Sequence, residues 1–420
     1  MKLTIWLNCF IVLVTVASGG ANGQTVTYEE AQQQARHRYP LIRQQTLLAQ
    51  AEELLLANIR NGNLPQVSVN GQASYQSDVT RVTVPVAGVV VNPPENDQYR
   101  LSADVSQILF NGGQSKQRQK VQKLTTETEQ QKVEVELYRL RYAVDDLYFG
   151  MLLLDEQVAQ AGLVKKDLIT GIDKVRAQVE NGVTFRSNLD VLKAEYLKAE
   201  QRIIELQSTR RGLEHSLKLL LGSTNQTLSL VKPVAPIIGH EINRPELKLY
   251  ASRQKLLEQQ KKLVNATLFP RLTAFGQGGY GRPALNMLNN EFELFYIAGI
   301  RLNWNIANLY TAKNEKRLLD INKNTLTLQN EAFLLDTDIL LRRQLAEIDK
   351  LKALIDTDRQ IILLRESVKK AANAQLDNAA ITAADYLREV NAEDHARQAL
   401  IIHEVQLTQA YITYKTIAGN

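Results

Sequence analysis

The chain has 420 residues, 44% hydrophobic and 23% charged, which excludes a disordered protein and leaves ample length for a core. Its formal charge of +5 is small for this length and no Lys/Arg-rich run occurs, so nucleic acid is not an expected partner. Only 21 glycines and 10 prolines punctuate it, a composition suited to long uninterrupted elements.

Residues 1–23 read as a secretory signal. Lys2 supplies the positive start, Leu3 to Val16 the apolar stretch, and Ala17 to Gly23 the small residues for cleavage. The stretch is shorter than the roughly 20 apolar residues of a membrane span. Cleavage near Gly23 removes Cys9, the single cysteine, so disulfides and thiolate metal sites are not expected. Later apolar runs are all cut by charge. An exported chain of this kind is periplasmic, secreted or an outer-membrane β-barrel.

The remainder reads as two tandem repeats, 24–222 and 244–420, joined by a linker at 223–243. Pro40 and Pro245 are 205 residues apart, and so are Pro65 and Pro270. In each half the first proline opens a helical segment and the second marks a helix-to-strand junction. Two strands and two long helices then follow.

The first pair of strands is expected at about 65–77 and 99–110. Val67, Val69, Gly71, Ala73 and Tyr75 alternate with Gln66, Ser68, Asn70, Gln72 and Ser74; Leu101, Ala103 and Val105 alternate with Arg100, Ser102 and Asp104. The second pair is expected at about 270–281 and 292–305, where Leu294, Tyr296, Ala298, Ile300 and Leu302 share a face that Phe295 and Ile297 blur on the other side. Such strands suit either a half-buried soluble sheet or tilted spans of a barrel, and aromatics at their ends favour the membrane. Four strands cannot close a barrel, so a membrane reading requires oligomers; three copies give twelve strands.

The first helical hairpin is expected at about 115–221 and the second at about 310–417. Val133, Leu137, Leu140, Val144, Leu147, Met151, Leu154, Val158 and Ala161 follow a 3.5-residue repeat, as do Leu189 to Leu220 with Arg210 the exception. A helix from Ser115 to Asn181 is roughly 100 Å long, a length suited to crossing a periplasm. The turns fall at Asn181-Gly182 and at Gln375 to Thr382, with Asn378 and Thr382 as its markers. Asp190 and Asp385 follow these turns, with Lys193 and Arg388 three residues further on in position to pair with them.

No catalytic chemistry is legible. Gly276-Gln277-Gly278-Gly279-Tyr280-Gly281 fits G-x-G-x-x-G, but no helix follows it, so the glycines are read as strand positions of close packing. The five histidines lack metal spacing, and Asp145-Asp146 are read as solvated or paired helical acids. Neither an enzyme nor a cofactor is expected.

At this level the chain resembles the TolC-type outer-membrane efflux protein family. The resemblance is carried by Val26 to Ala31, Tyr39-Pro40, Leu64 to Val67, Leu109-Phe110-Asn111-Gly112-Gly113, Asn181-Gly182-Val183, Asn188 to Glu195 and Arg244 to Leu247. It implies a mainly α chain with a β-barrel part: a trimeric twelve-stranded outer-membrane barrel continued by a periplasmic coiled-coil barrel. It further implies docking of the hairpin tips to a periplasmic adaptor, an inner-membrane pump of the resistance-nodulation-division or ABC class, and passive export of small molecules or metal ions. A type I protein-secretion outlet is the alternative with the same body; a periplasmic coiled-coil adaptor is the alternative from another class. Asp385 matches the first aspartate of the ring that closes TolC's tip, with Asp190, Arg388 and Lys193 as further aperture candidates. Arg388 stands where the second aspartate would be, and Leu376 and Ile381 where the latching tyrosine and arginine would be, so that lock is not expected here. The second strand-to-helix re-entry, Trp304 to Tyr310, lacks the double glycine, and little follows the last helix.

Overall fold

The computed structural model describes residues 24–81, 93–223, 227–239, 241–287 and 289–420; the expected signal sequence at 1–23 and His240 lie outside them. The chain divides into two compact units, and α3 (Gln114–Glu180) and α6 (Asn308–Asp377) contribute residues to both.

The first unit draws on residues up to Tyr39, Leu140–Ile238 and Gln344–Thr416. β1 (Gln24–Val26) pairs in parallel with β4 (Leu228–Leu230), and α1 (Tyr28–Arg38) follows at once. Thr27 starts α1 with a capping box: its hydroxyl accepts from the Glu30 N–H, and the Glu30 carboxylate accepts from the Thr27 N–H. The small sheet carries no periodic signal, because three-residue strands are too short to show one.

Within this unit α1 packs on α3, α4 (Arg186–Leu221) and α7 (Ala383–Ala418). Their shared core includes Ala31, Ala35, Val144, Tyr148, Met151, Leu217, Val405 and Ile412. Tyr148 ties the sheet to it, its hydroxyl donating to the carbonyls of Val26 (3.0 Å) and Val231 (2.7 Å). Arg210, the exception in the α4 repeat, is an anchor. It pairs with Asp155 and with Glu214 (2.7 Å) and donates to the Leu228 carbonyl (2.9 Å), while Glu214 accepts from the Leu228 N–H. A charge in a helical seam is tolerated here because every polar partner is supplied.

Asp145 departs from the sequence reading. It is 3% exposed rather than solvated, because α1 covers that face of α3. Its Oδ1 accepts from the Tyr28 hydroxyl and from Gln32 Nε2, both at 2.6 Å, while Oδ2 is buried without a hydrogen bond.

The second unit comprises Pro40–Arg139, Gly239–Arg343 and Ile417–Asn420. Pro40 opens a 3-10 turn (Pro40–Ile42) that leads into α2 (Arg43–Asn61); Pro245 is the first residue of α5 (Pro245–Ala266). Both are places where a missing N–H costs nothing. Pro65 and Pro270 each immediately precede a strand, β2 (Gln66–Tyr75) and β5 (Arg271–Arg282). With β3 (Asp97–Phe110) and β6 (Glu293–Asn303) these form one antiparallel sheet in the order β2-β3-β5-β6. β3 begins two residues before the expected start, where Asp97 pairs with Tyr75.

The two re-entries into helix use different chemistry. Gly112 and Gly113 have φ of 64° and 77°, and a Cβ on Gly112 would lie 2.5 Å from Phe269 Cβ. Before α6 the turn is made instead by successive bonds from Asn308, Leu309 and Tyr310 N–H to Asn305, Ile306 and Ala307 carbonyls, without a positive φ.

Candidate functional site

Two regions, one in each unit, carry groups that a globular core does not explain. The first is the pair of helical turns joining α3 to α4 and α6 to α7.

These turns are built alike. In the first, the Val183 N–H reaches the Gln178 carbonyl (2.8 Å) and the Gly182 N–H the Val179 carbonyl (3.1 Å), with Gly182 at φ 70°. In the second, Ala380 reaches Gln375 (2.8 Å) and Ala379 reaches Leu376 (3.0 Å), with Ala379 at φ 54°. Both are Schellman closures. Asn181 and Asn378 repeat a further bond, each Nδ2 donating at 2.8 Å to the carbonyl four residues back. The expected tip residues Asn181, Gly182, Asn378 and Thr382 therefore occupy the two turns.

Beyond the turns the halves diverge. Thr382 caps α7: its hydroxyl accepts from the Asp385 N–H (3.2 Å), and Asp385 Oδ2 accepts from the Thr382 hydroxyl (2.7 Å) and N–H (3.3 Å). Arg388 lies 3.1 Å from Asp385 Oδ1. The Thr382 hydroxyl, then its N–H, holds the Asp385 carboxyl below the ordinary carboxylate range, with Arg388 adding to the effect. In α4, with Phe185 as N-cap, the residue corresponding to Asp385 is Asn188, which donates to Thr184 Oγ1 at 2.7 Å. Asp190 sits two residues further in, where no free N–H remains to be capped. Asp190 and Lys193 are both exposed and make no ion pair among the described residues. Sequence spacing from the turn thus misaligned Asp190 with Asp385.

Leu376 and Ile381 belong to the apolar cluster beneath the turns, with Leu168, Leu192, Tyr386 and Leu387. The polar ties between hairpins lie elsewhere. Lys174 reaches Asp377 (2.8 Å) and Asn373 (3.0 Å), Gln178 donates to the Leu376 carbonyl (2.7 Å), and Lys369 reaches Asp167 (2.9 Å) and pairs with Glu393. Burial disfavours the Glu393 anion, but hydrogen bonds from Lys369 and Arg397 outweigh it and keep its pKa low. The 3.5-residue repeat conceals these residues, because they flank the seam rather than occupy it.

The second region is the sheet. Cross-strand register places Val67, Val69, Val105, Ala103, Leu101, Tyr280, Leu294, Tyr296, Ala298 and Ile300 on one face, and much of it is exposed, Leu294 to 84%. At its end Tyr99, Tyr280 and Phe292 stack together, with Arg282 above them and paired to Asp97 at 2.6 Å. The opposite face is polar: Asp104 accepts from Asn70 Nδ2 and Gln277 Nε2, both at 2.6 Å. β2 and β6 have no outer neighbour among the described residues. No helix among the described residues is long and apolar enough to cross a membrane, and no cluster of His, Cys, Asp and Glu there suits a metal ion.

Comparison with known proteins adds to this geometry. Residues 31–223 match the family model described as outer membrane efflux protein. No curated protein matches the sequence. Among solved structures the chain is similar to CusC, a protein described by its folding and transmembrane channel formation, with TM-score 0.71 and 15% identity over 94% of this chain and 92% of that one. It is also similar to the MtrE outer membrane channel of Neisseria gonorrhoeae (TM-score 0.67, 16% identity, 93% and 89% covered). The CmeC outer membrane channel of Campylobacter jejuni is a further match (TM-score 0.64, 12% identity, 93% and 85% covered).

Proposed function

We propose that the chain is the outer-membrane channel of a tripartite efflux system, a passive duct rather than an enzyme, a reading supported by the match of residues 31–223 to the outer membrane efflux protein model. The observation that carries this is the sheet: an exposed apolar face whose only charges, Asp97 and Arg282, pair at its end, a more polar face behind it, and two edges unpaired among the described residues. In hydrocarbon each unpaired N–H or C=O costs several kcal/mol, so such a sheet is stable only when β2 of one copy pairs with β6 of the next. Three copies close a barrel wide enough for a water-filled lumen. Lipid then meets the apolar face and cargo the polar one.

The hairpin tips take the adaptor in this reading, with Asn181, Gly182, Asn378 and Thr382 at the contact. The rest state is held by the ties between hairpins, Lys174 to Asp377 and Lys369 to Asp167. Three copies of Asp385 form an acidic ring that favours cations, damped by Arg388. The energy comes from an inner-membrane pump, and the adjoining genes identify its class. A resistance-nodulation-division pump beside an adaptor indicates small-molecule or metal-ion efflux; an ABC exporter indicates the type I secretion variant.

Reconstitution in planar bilayers tests the proposal. Detergent-extracted protein is expected as a trimer with stable single-channel conductance, and a single-copy species without conductance would refute it. Asp385→Asn keeps the acceptor for Thr382 but removes the charge, so it should shift ion selectivity away from cations with the trimer intact. An unchanged reversal potential would remove Asp385 from the aperture.

A further inference from the structure

On the polar face of the sheet, the glycine-rich run of β5 makes room for an unusual arrangement. Phe295 of β6 pairs with Gly279, and Phe275 of β5 pairs with Gly299. Each ring lies over the other strand's glycine: a Cβ at Gly279 would stand 2.6 Å from the Phe295 ring, and one at Gly299 would stand 3.2 Å from the Phe275 ring. Arg100 of β3 reaches across β5, over Gly279 and Gly281, to lie 5.2 Å from the Phe295 ring centroid; its Nη2 also donates to the Ala284 carbonyl at 3.4 Å. Arg301 lies 4.6 Å from the Phe275 centroid. Ile297 fills the rung between the two phenylalanines. Gly279, at an x position of the G-x-G-x-x-G run, and Gly299 of β6 therefore let two rings lie flat, each with a guanidinium beside it.

Neither guanidinium has an acid partner among the described residues. The neighbouring carboxylate, Asp104, is occupied by the neutral donors Asn70, Gln277 and Ser102. The shelf thus presents the exposed Ile297 and the half-buried Phe275 beside two planar positive charges, with Phe295 buried among them as a support. Guanidinium binds carboxylate, sulfonate and phosphate oxygens in pairs and stacks on aromatic faces.

We propose that this shelf is a binding site in the barrel lumen for planar organic anions, such as aryl carboxylates and aryl sulfonates. It rests on the duct reading, because only there does the polar face line a lumen, repeated three times. Its charge complementarity selects the anion, and Phe275 and Ile297 select the flat apolar body.

The test is blockade of single channels at low ionic strength, with naphthalene-2-sulfonate or methanesulfonate added from the barrel side. Naphthalene-2-sulfonate should block at concentrations about tenfold lower than methanesulfonate, and block should weaken as salt rises. The Arg100→Gln/Arg301→Gln double variant should raise its half-blocking concentration about tenfold. Phe275→Leu, a milder change, should weaken naphthalene-2-sulfonate while leaving methanesulfonate unaltered, and it decides the matter if the double variant fails to assemble. Equal block by the two anions, or block indifferent to these substitutions, overturns the shelf while leaving the duct. Wild-type trimers that insert without conducting overturn the duct itself.

Discussion

Asp145 shows what one buried carboxyl does to stability. Burial, the largest influence, pushes its pKa from 3.8 up to about 6, against the hydrogen bonds from Tyr28 and Gln32. Burial and then the Asp145 charge drive Tyr28 the other way from ionisation, so its hydroxyl remains a donor. The folded chain holds this proton more tightly than the unfolded chain does. The associated stability is therefore complete below about pH 4 and is lost as pH rises through about 6, by at most about 3 kcal/mol. Asp145→Asn should flatten the dependence between about pH 4 and 6.5 and raise the melting temperature at pH 7.5; an unchanged slope would show that the carboxyl is ionised throughout. At the turns, Gly182 and Ala379 share one backbone conformation but differ in fitness for it. Ala379→Gly should stabilise its hairpin by about 1 kcal/mol and Gly182→Ala should destabilise the other by a similar amount, read from amide exchange in the flanking helical turns.

The helices and strands owe their form to two different periods. Val144 and Met151 of α3 and Leu192 and Leu217 of α4, all apolar seam positions, are fully buried, while Leu197 and Ile204 of α4 and Leu363 and Leu364 of α6 are more than half exposed. The second group is a further apolar stripe that a single copy leaves uncovered. Between these stripes the hairpins depend on charge. Glu393 has a 4% exposed side chain and is held by Lys369 and Arg397. Lys369→Met leaves that carboxylate short of one partner, and removing one member of a buried pair typically costs about 3 kcal/mol. Amide exchange should accelerate in α7 around Glu393, and Glu393→Gln in the same chain should recover much of the loss. Failure of the second change to rescue would show that Lys369 acts through packing alone.

For the whole molecule the decisive question is which face of the sheet meets lipid. Ala298 lies on the apolar face opposite Gly276, and Gln277, one residue along, lies on the polar face opposite Ile297. Ala298→Arg should cost about 2–4 kcal/mol near mid-bilayer and abolish membrane-inserted trimers, whereas Gln277→Arg should leave them intact. Fractionation and cross-linking of the two variants check this, and equal tolerance would mean that neither face is in hydrocarbon.

Strict alternation from Gln66 to Tyr75 and the 3.5-residue repeat through Val133 to Ala161 were enough to name strands, helices and turns, because burial on one side imposes its own period. Alignment across the halves was not legible in the same way. The offset is 205 residues at the prolines but 197 at the turns, where Asn181 corresponds to Asn378, so Asp385 corresponds to Asn188 and not to Asp190. The burial of Asp145, the anchoring of β4 by Arg210 and the rings lying over Gly279 and Gly299 were also invisible. Each depends on residues far apart in the chain, and a local pattern reports which side of an element is covered, not what covers it.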